Sequence, residues 1–153
     1  MRNLFTFALL MLLSTGLAGC KDKSKLSGLA PCSGTVMMDG QPVEGAFLVF
    51  FATGGGTDMR NASGRTDAQG KFTLTTLSPN DGITPGDFAV AVSKNEEYGP
   101  IPKPVIDENG VEFTPERPTR NLLPAKYASA KTSQLKFTIP EGGNKNLEIV
   151  LEK

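Results

Sequence analysis

The amino-acid sequence predicts an all-β protein, and three observations predict it. Seventeen Gly and eleven Pro in 153 residues require many turns and leave little room for long helices. Beyond position 31 the apolar residues recur with a period of two, the spacing of side chains on one face of a strand. No stretch after the N-terminal segment sustains the period of about 3.6 that marks an amphipathic helix. A chain of this length forms one domain of ordinary size, and short strands between regular turn signals suggest a sandwich.

The elements follow in order. A first strand is expected over residues 34–38. Asp39-Gly40 then makes a two-residue hairpin turn, because Gly accepts positive φ, and Pro42 should delay the next pairing. Residues 46–51 alternate Ala46, Leu48 and Phe50 on one face with Phe47, Val49 and Phe51 on the other. Apolar on both sides, this strand should lie centrally or beneath a loop. Gly54-Gly55-Gly56-Thr57 reads as a flexible loop. In Thr66-Asp67-Ala68-Gln69-Gly70 the Asp67 carboxylate can bond the backbone two residues on, and Gly70 suits a left-handed position. Strands follow at residues 71–76, with Phe72 and Leu74 inward, and at 87–93, with Phe88, Val90 and Val92 inward. The loop between them carries Asp81-Gly82 and Pro85-Gly86.

Residues 94–130 break the rhythm. Pro100, Pro102, Pro104, Pro115, Pro118 and Pro124 all fall here, and proline removes a donor and fixes φ. The segment is therefore expected to be a long loop with little pairing, apart from a turn at Asp107-Glu108-Asn109-Gly110 and a short edge strand over 111–114. Leu122, Leu123 and Tyr127 should return the chain to the core. Two last strands put Leu135, Phe137 and Ile139 inward, then Leu147, Ile149 and Leu151, with a turn at Glu141-Gly142-Gly143-Asn144 between them.

The N-terminus carries the address. Arg2 precedes an apolar run over residues 4–17. That is too short for a bilayer-spanning helix of about 20 residues and suits the about 7–15 of an export signal. The run ends in Leu17-Ala18-Gly19-Cys20, which resembles the lipobox of bacterial lipoproteins. The resemblance implies that signal peptidase recognises Leu17, Ala18 and Gly19, cuts before Cys20, and leaves the Cys20 sulfur lipidated. It divides the chain into a signal peptide (1–19), a flexible tether (20–31) and a domain (32–153). The partner implied is a membrane, held stably once two or more acyl chains are attached. Lys21, rather than Asp, after the Cys leans toward the outer membrane of a bacterial cell envelope, with the domain facing the periplasm or the exterior. Cys32 is then left single, and is expected as a small buried hydrophobe, with an intermolecular disulfide as the alternative.

Composition removes several chemistries. Sixteen basic and sixteen acidic side chains give no basic surface for nucleic acid. The absence of His excludes Ser–His and Cys–His catalysis and imidazole ligation of metals. Asp58, Asn61, Asp67 and Asn80-Asp81 offer oxygens, but the ligand spacing of a calcium loop and its closing Glu are missing, so no metal or cofactor is expected. Glu96-Glu97 and Asp107-Glu108 are the only acids placed for a carboxylate-based hydrolase. Adjacent acids in a loop read more simply as solvated, and no catalytic residue is assigned. Tyr98 is the exposed candidate for stacking a sugar, whereas Tyr127 should cover the core. Arg117, Arg120 and Lys126, balanced by Glu112 and Glu116, read as a solvated mixed-charge loop or a contact surface. Open sheet edges offer a further route to a protein partner.

Four motifs in order carry a second resemblance. Residues 34–50, Gly-Thr-Val-Met-Met-Asp-Gly-Gln-Pro-Val-Glu-Gly-Ala-Phe-Leu-Val-Phe, resemble the opening of carboxypeptidase-regulatory-like, transthyretin-like domains. Thr66-Asp67-Ala68-Gln69-Gly70-Lys71-Phe72 is similar to their T-D-x-x-G-x-F turn, and Pro85-Gly86-Asp87-Phe88-Ala89-Val90 to their P-G-x-Y-x-V strand. Leu123-Pro124-Ala125-Lys126-Tyr127 with Thr132-Ser133-Gln134-Leu135 resembles the C-terminal part of small bacterial lipoproteins that carry this domain. The resemblance implies a seven-stranded Greek-key sandwich of transthyretin-like or Ig-like kind and a mostly non-catalytic role. Its enzymatic relatives rely on histidines and a Tyr-Arg-Gly-Ser tail; this chain has no His and ends Val150-Leu151-Glu152-Lys153. The expected function is that of an interaction or structural module bound to an envelope protein or, alternatively, to a glycan.

Overall fold

The computed structural model describes residues 28–54 and 59–153. The expectations for the signal segment, for Leu17, Ala18, Gly19 and Cys20, for the tether over 20–27, for Gly55-Gly56-Thr57 and for Asp58 lie outside the described residues. Twelve strands and one short 3₁₀ helix (Ala125–Ala128) run along the described chain. The strands are β1 (Cys32–Met38), β2 (Gln41–Pro42), β3 (Phe47–Ala52), β4 (Ala62–Arg65), β5 (Lys71–Thr73) and β6 (Gly86–Ser93). After them come β7 (Asn95–Glu97), β8 (Val105–Ile106), β9 (Glu112–Phe113), β10 (Thr119–Asn121), β11 (Lys136–Ile139) and β12 (Asn144–Leu151).

The protein is all-β, and two larger sheets face each other. One is ordered β11-β6-β3-β4 and is antiparallel throughout. In the other, β1 lies between β12 on one side and β5 and β2 on the other. An isolated bridge between Ser63 and Thr75 ties the β4 edge to the chain just after β5. Phe50 of β3 stands at the centre: its ring centroid is 6.4 Å from Phe72 on the opposite sheet and 6.2 Å from Phe88 and from Phe137. Val36, Leu48, Leu74, Val90, Val92, Ile149 and Leu151 fill the space around it and are fully buried. Each such side chain contributes roughly 1.5–3 kcal/mol by leaving water.

The turns behave as their residues require. Asp39 and Gly40 both take positive φ, which the tight β1–β2 hairpin needs. Asp67 accepts hydrogen bonds from the N–H groups of Gln69 (2.9 Å) and Lys71 (2.8 Å), and Gly70 is left-handed. Thr66, buried beneath that turn, donates to the Val43 carbonyl (2.6 Å) and accepts from the Ala46 N–H (2.7 Å).

Several expectations are corrected. The pairing is not antiparallel throughout: β1 and β12 run parallel, with an irregularity between Cys32 and Gly34. That step is where a Cβ on Gly34 would meet the Leu147 carbonyl oxygen, so only Gly lets the two strands close. Pro42 does not delay pairing; it sits opposite Met37, and β2 simply ends there. β3 is central, as its composition requires, with its second face partly open: Phe47 is 46% and Phe51 39% exposed. The expected tether is too long at its C-terminal end, because Ala30 is buried and exchanges backbone hydrogen bonds with Ile83. Leu123 and Tyr127 return to the core as expected, whereas Leu122 stays exposed.

The largest correction concerns residues 94–130. Much of this segment is a two-stranded ribbon. β7 pairs with β10, the Tyr98 N–H bonds the Pro118 carbonyl, and β8 pairs with β9 around the Asp107–Gly110 turn. Pro100, Pro102, Pro104 and Pro115 lie between the two ladders, where no donor is required of them. Residues 95–121 therefore form an arm rather than a loop.

Candidate functional site

Two surface features stand out, one on the double-sheet body and one on the arm. The first is a groove of about 1000 Å³ on the outer side of the β12-β1-β5 sheet. Its floor is made by outward side chains of β1 (Ser33, Thr35), β5 (Lys71, Thr73) and β12 (Asn146, Glu148). Phe47 and Arg65, direct cross-strand partners in β3 and β4, form a wall. Lys145 stands at the start of β12, its carbonyl accepting a hydrogen bond from the Ser33 hydroxyl (3.1 Å). Among the described residues Arg65, Lys71 and Lys145 have no ion-pair partner. Against these three cations the groove holds two carboxylates, Glu148 and Asp67, the latter tied into its own turn. Exposed polar groups, free cations and one uncovered aromatic ring suit a partner with acidic and apolar parts.

The second feature is the arm. Its base is held by paired charges: Arg120 Nη2 lies 2.8 Å and its Nε 3.1 Å from Glu96 Oε2, and Arg117 Nη1 lies 3.3 Å from Glu97 Oε2. Arg117 also donates to the Gly99 carbonyl (2.9 Å), and the Arg120 guanidinium lies 5.9 Å from the centre of the Tyr98 ring. Lys94 and Leu123 donate their N–H groups to the Asn121 side-chain oxygen, fixing where the arm leaves the body. At the tip the Asp107 carboxylate accepts from the N–H groups of Val111 and Asn109, and these bonds hold it below the ordinary range of an Asp carboxyl. The register sets Val105 opposite Phe113, with Val111 beyond them on the same face. Val105, Val111 and Phe113 are 43%, 58% and 49% exposed, and Ile101 and Ile106 more so.

The structure does not bring the candidate acids together. Glu96 and Glu97 are engaged with the two arginines of β10 and its approach, not free in solvent, and Asp107 builds the tip turn. Arg117 and Arg120, expected in a solvated mixed-charge loop or a contact surface, meet Glu97 and Glu96 across the ribbon. Lys126 lies instead over the Tyr127 ring, 5.0 Å from its centre. Asp81 accepts from the N–H groups of Thr76, Leu77 and Ser78. Burial alone would raise its pKa, but these bonds together hold it below its usual value. Among the described residues no cluster of Cys, Asp or Glu is placed to hold a metal, and no helix is long and apolar enough to cross a membrane.

Tyr98 is exposed and Tyr127 is buried, its hydroxyl oxygen accepting from the Glu152 N–H (2.9 Å). Cys32 is the small buried hydrophobe expected of it: burial pushes its thiol up to about 11, which leaves little nucleophilic thiolate. Phe47, Arg65, Lys71 and Lys145 carried no site signal in the sequence. They come from four strands and meet only when both sheets are assembled.

No protein-family model matches the chain, and no curated protein does. Among solved structures it is similar to a 9R-lipoxygenase from Cyanothece PCC8801, at 12% identity over 82% of this chain and 16% of the lipoxygenase, with a TM-score of 0.38. The chain spans only a small part of that protein's length, and a likeness this loose carries no argument about fold or activity.

Proposed function

We propose that this protein is a non-catalytic, lipid-anchored module of a bacterial cell envelope that works by contact rather than by turnover. The observation that carries the reading is the arm: a ribbon with its base locked by ion pairs and its apolar side chains turned to solvent. An exposed apolar patch on an ordered element marks an interaction site. Of the candidate acids, Glu96 and Glu97 lie in ion pairs and Asp107 holds its turn, which favours contact over turnover. The anchor rests on Leu17-Ala18-Gly19-Cys20, and Lys21 favours the outer membrane.

The finer topology belongs to the same reading. Setting aside β2 and the four arm strands leaves seven, ordered β11-β6-β3-β4 and β12-β1-β5, with the chain crossing between sheets after β1, β4, β5 and β11. Those crossings support a Greek-key, transthyretin-like arrangement.

Replacing the lipidated residue tests the anchor. The wild-type chain should incorporate labelled palmitate and sediment with membranes, and Cys20→Ala should do neither. Unchanged partitioning of the variant would refute the anchor. A second reading, a glycan-binding module, is favoured by the groove with its exposed Phe47. Calorimetric titration with acidic envelope polysaccharide should then give heat that Phe47→Ala removes.

A further inference from the structure

The arm tip and the groove are complementary to one another, and we infer that the tip of one copy docks in the groove of a second copy of this chain. The tip turns Val105, Val111 and Phe113 to solvent on one face of the ribbon. Between residues 98 and 116 Lys103 stands against Asp107, Glu108, Glu112 and Glu116, so the tip as a whole is acidic, with Glu112 opposite Ile106 on the ribbon's other face. Such a surface is repelled by anionic lipid headgroups and attracted to an apolar spot framed by cations. The groove supplies one: Phe47 lies open beside Arg65, and Lys71 and Lys145, free of ion pairs among the described residues, outnumber with it the two carboxylates of the lining, Glu148 and the turn-bound Asp67.

A two-stranded ribbon is marginal in water, so covering the apolar face also steadies the arm. The tip's own exposure shows that it does not occupy the groove of its own chain. Because tip and groove are different surfaces, each docked pair keeps one tip and one groove unused. The contact is heterologous, and copies add head to tail. The inference does not depend on lipidation of Cys20; an anchor would confine the copies to a plane and raise their effective concentration.

The test places a photoreactive benzophenone side chain at Phe113 of the full chain, irradiated in native membranes and after purification in mild detergent. The expected product is a dimer-sized adduct whose mapped peptide contains Phe47, Arg65, Lys71 or Lys145. Glu108→Lys with Glu112→Lys should reduce its yield about tenfold or more, and raising the salt from about 0.05 M to about 0.5 M should act in the same direction. Asp107 is left intact because its carboxylate holds the turn. Lys71→Glu with Lys145→Glu should be equally damaging alone, and should restore the adduct when combined with the arm reversal. Circular dichroism of each variant establishes that it is folded. Adducts only to lipid, only to another protein, within one chain or not at all would overturn the inference, as would a dimer adduct indifferent to the reversals.

Discussion

The body and the arm achieve order by different means. In the body, Phe50 is enclosed by rings from both sheets, and the buried hydroxyls of Thr66 and Ser133 are bonded on both their donor and acceptor sides. In the arm nearly every side chain faces water, and what fixes the backbone is two short ladders, two Arg–Glu pairs and an Asx turn. Exposed ion pairs contribute about 0–1 kcal/mol each, far less than one buried phenylalanine. The molecule thus keeps its stability in one region and presents its apolar contact surface from another. Removing the contact surface should leave the stability almost untouched.

That separation can be broken or sharpened by experiment. The largest effect is expected from Phe50→Ala, which should lower unfolding free energy by about 3–5 kcal/mol in urea titration, because its cavity lies among rigid neighbours. A smaller loss, about 1 kcal/mol, should follow Tyr127→Phe, which removes the acceptor for the Glu152 N–H and leaves the ring in place. Excising residues 98–118 and joining Glu97 to its ladder partner Thr119 through a two-residue Gly turn should change stability by less than about 1 kcal/mol. Extending the deletion through Leu123 and Tyr127 should cost several times more, since both are core residues. A large loss from the shorter excision would mean that the arm supports the body.

The smallest effect is local and depends on pH. Asp107 and Asp81 have folded-state pKa values below their ordinary ones, so their hydrogen-bonded carboxylates favour the folded turns above the unfolded pKa of about 3.9. That contribution is lost as pH falls through the depressed folded values. The protection factors of the Val111 and Leu77 amides, exchange being corrected for its intrinsic pH dependence, should therefore fall below about pH 4, while the Val49 amide in the centre of its sheet stays protected.

What could be read in advance was whatever the chain states locally. The alternation in Phe88-Ala89-Val90-Ala91-Val92 and in Leu147-Glu148-Ile149-Val150-Leu151 names the inner face of each strand, and Asp67 with Gly70 specifies a turn outright. β4 was missed because Ala62-Ser63-Gly64-Arg65 has one inward apolar residue; Gly64 takes the next inward position, where a Cβ would stand 3.0 Å from the Thr73 carbonyl oxygen. The arm was missed because its prolines are gathered between the ladders, which composition over the whole segment hides. The Arg117–Glu97 and Arg120–Glu96 pairs were beyond reach for a similar reason: ribbon register, not sequence proximity, decides which charges meet. The groove is legible least of all, since each of its cations alone is an ordinary surface residue.

The parallel pairing of β1 with β12 also bears on how the chain is made. A strand near the start of the body waits for a neighbour that begins only at Asn144, so one flank of β1 stays bare until the chain has been made through Leu151. Emerging at about 5–20 residues per second, the polypeptide has to remain open for many seconds and then close late, in a step dominated by distant contacts. A product cut short before β12 would keep that flank unzipped, with Val36, whose ladder partner is Ile149, within reach of water, proteases and other chains.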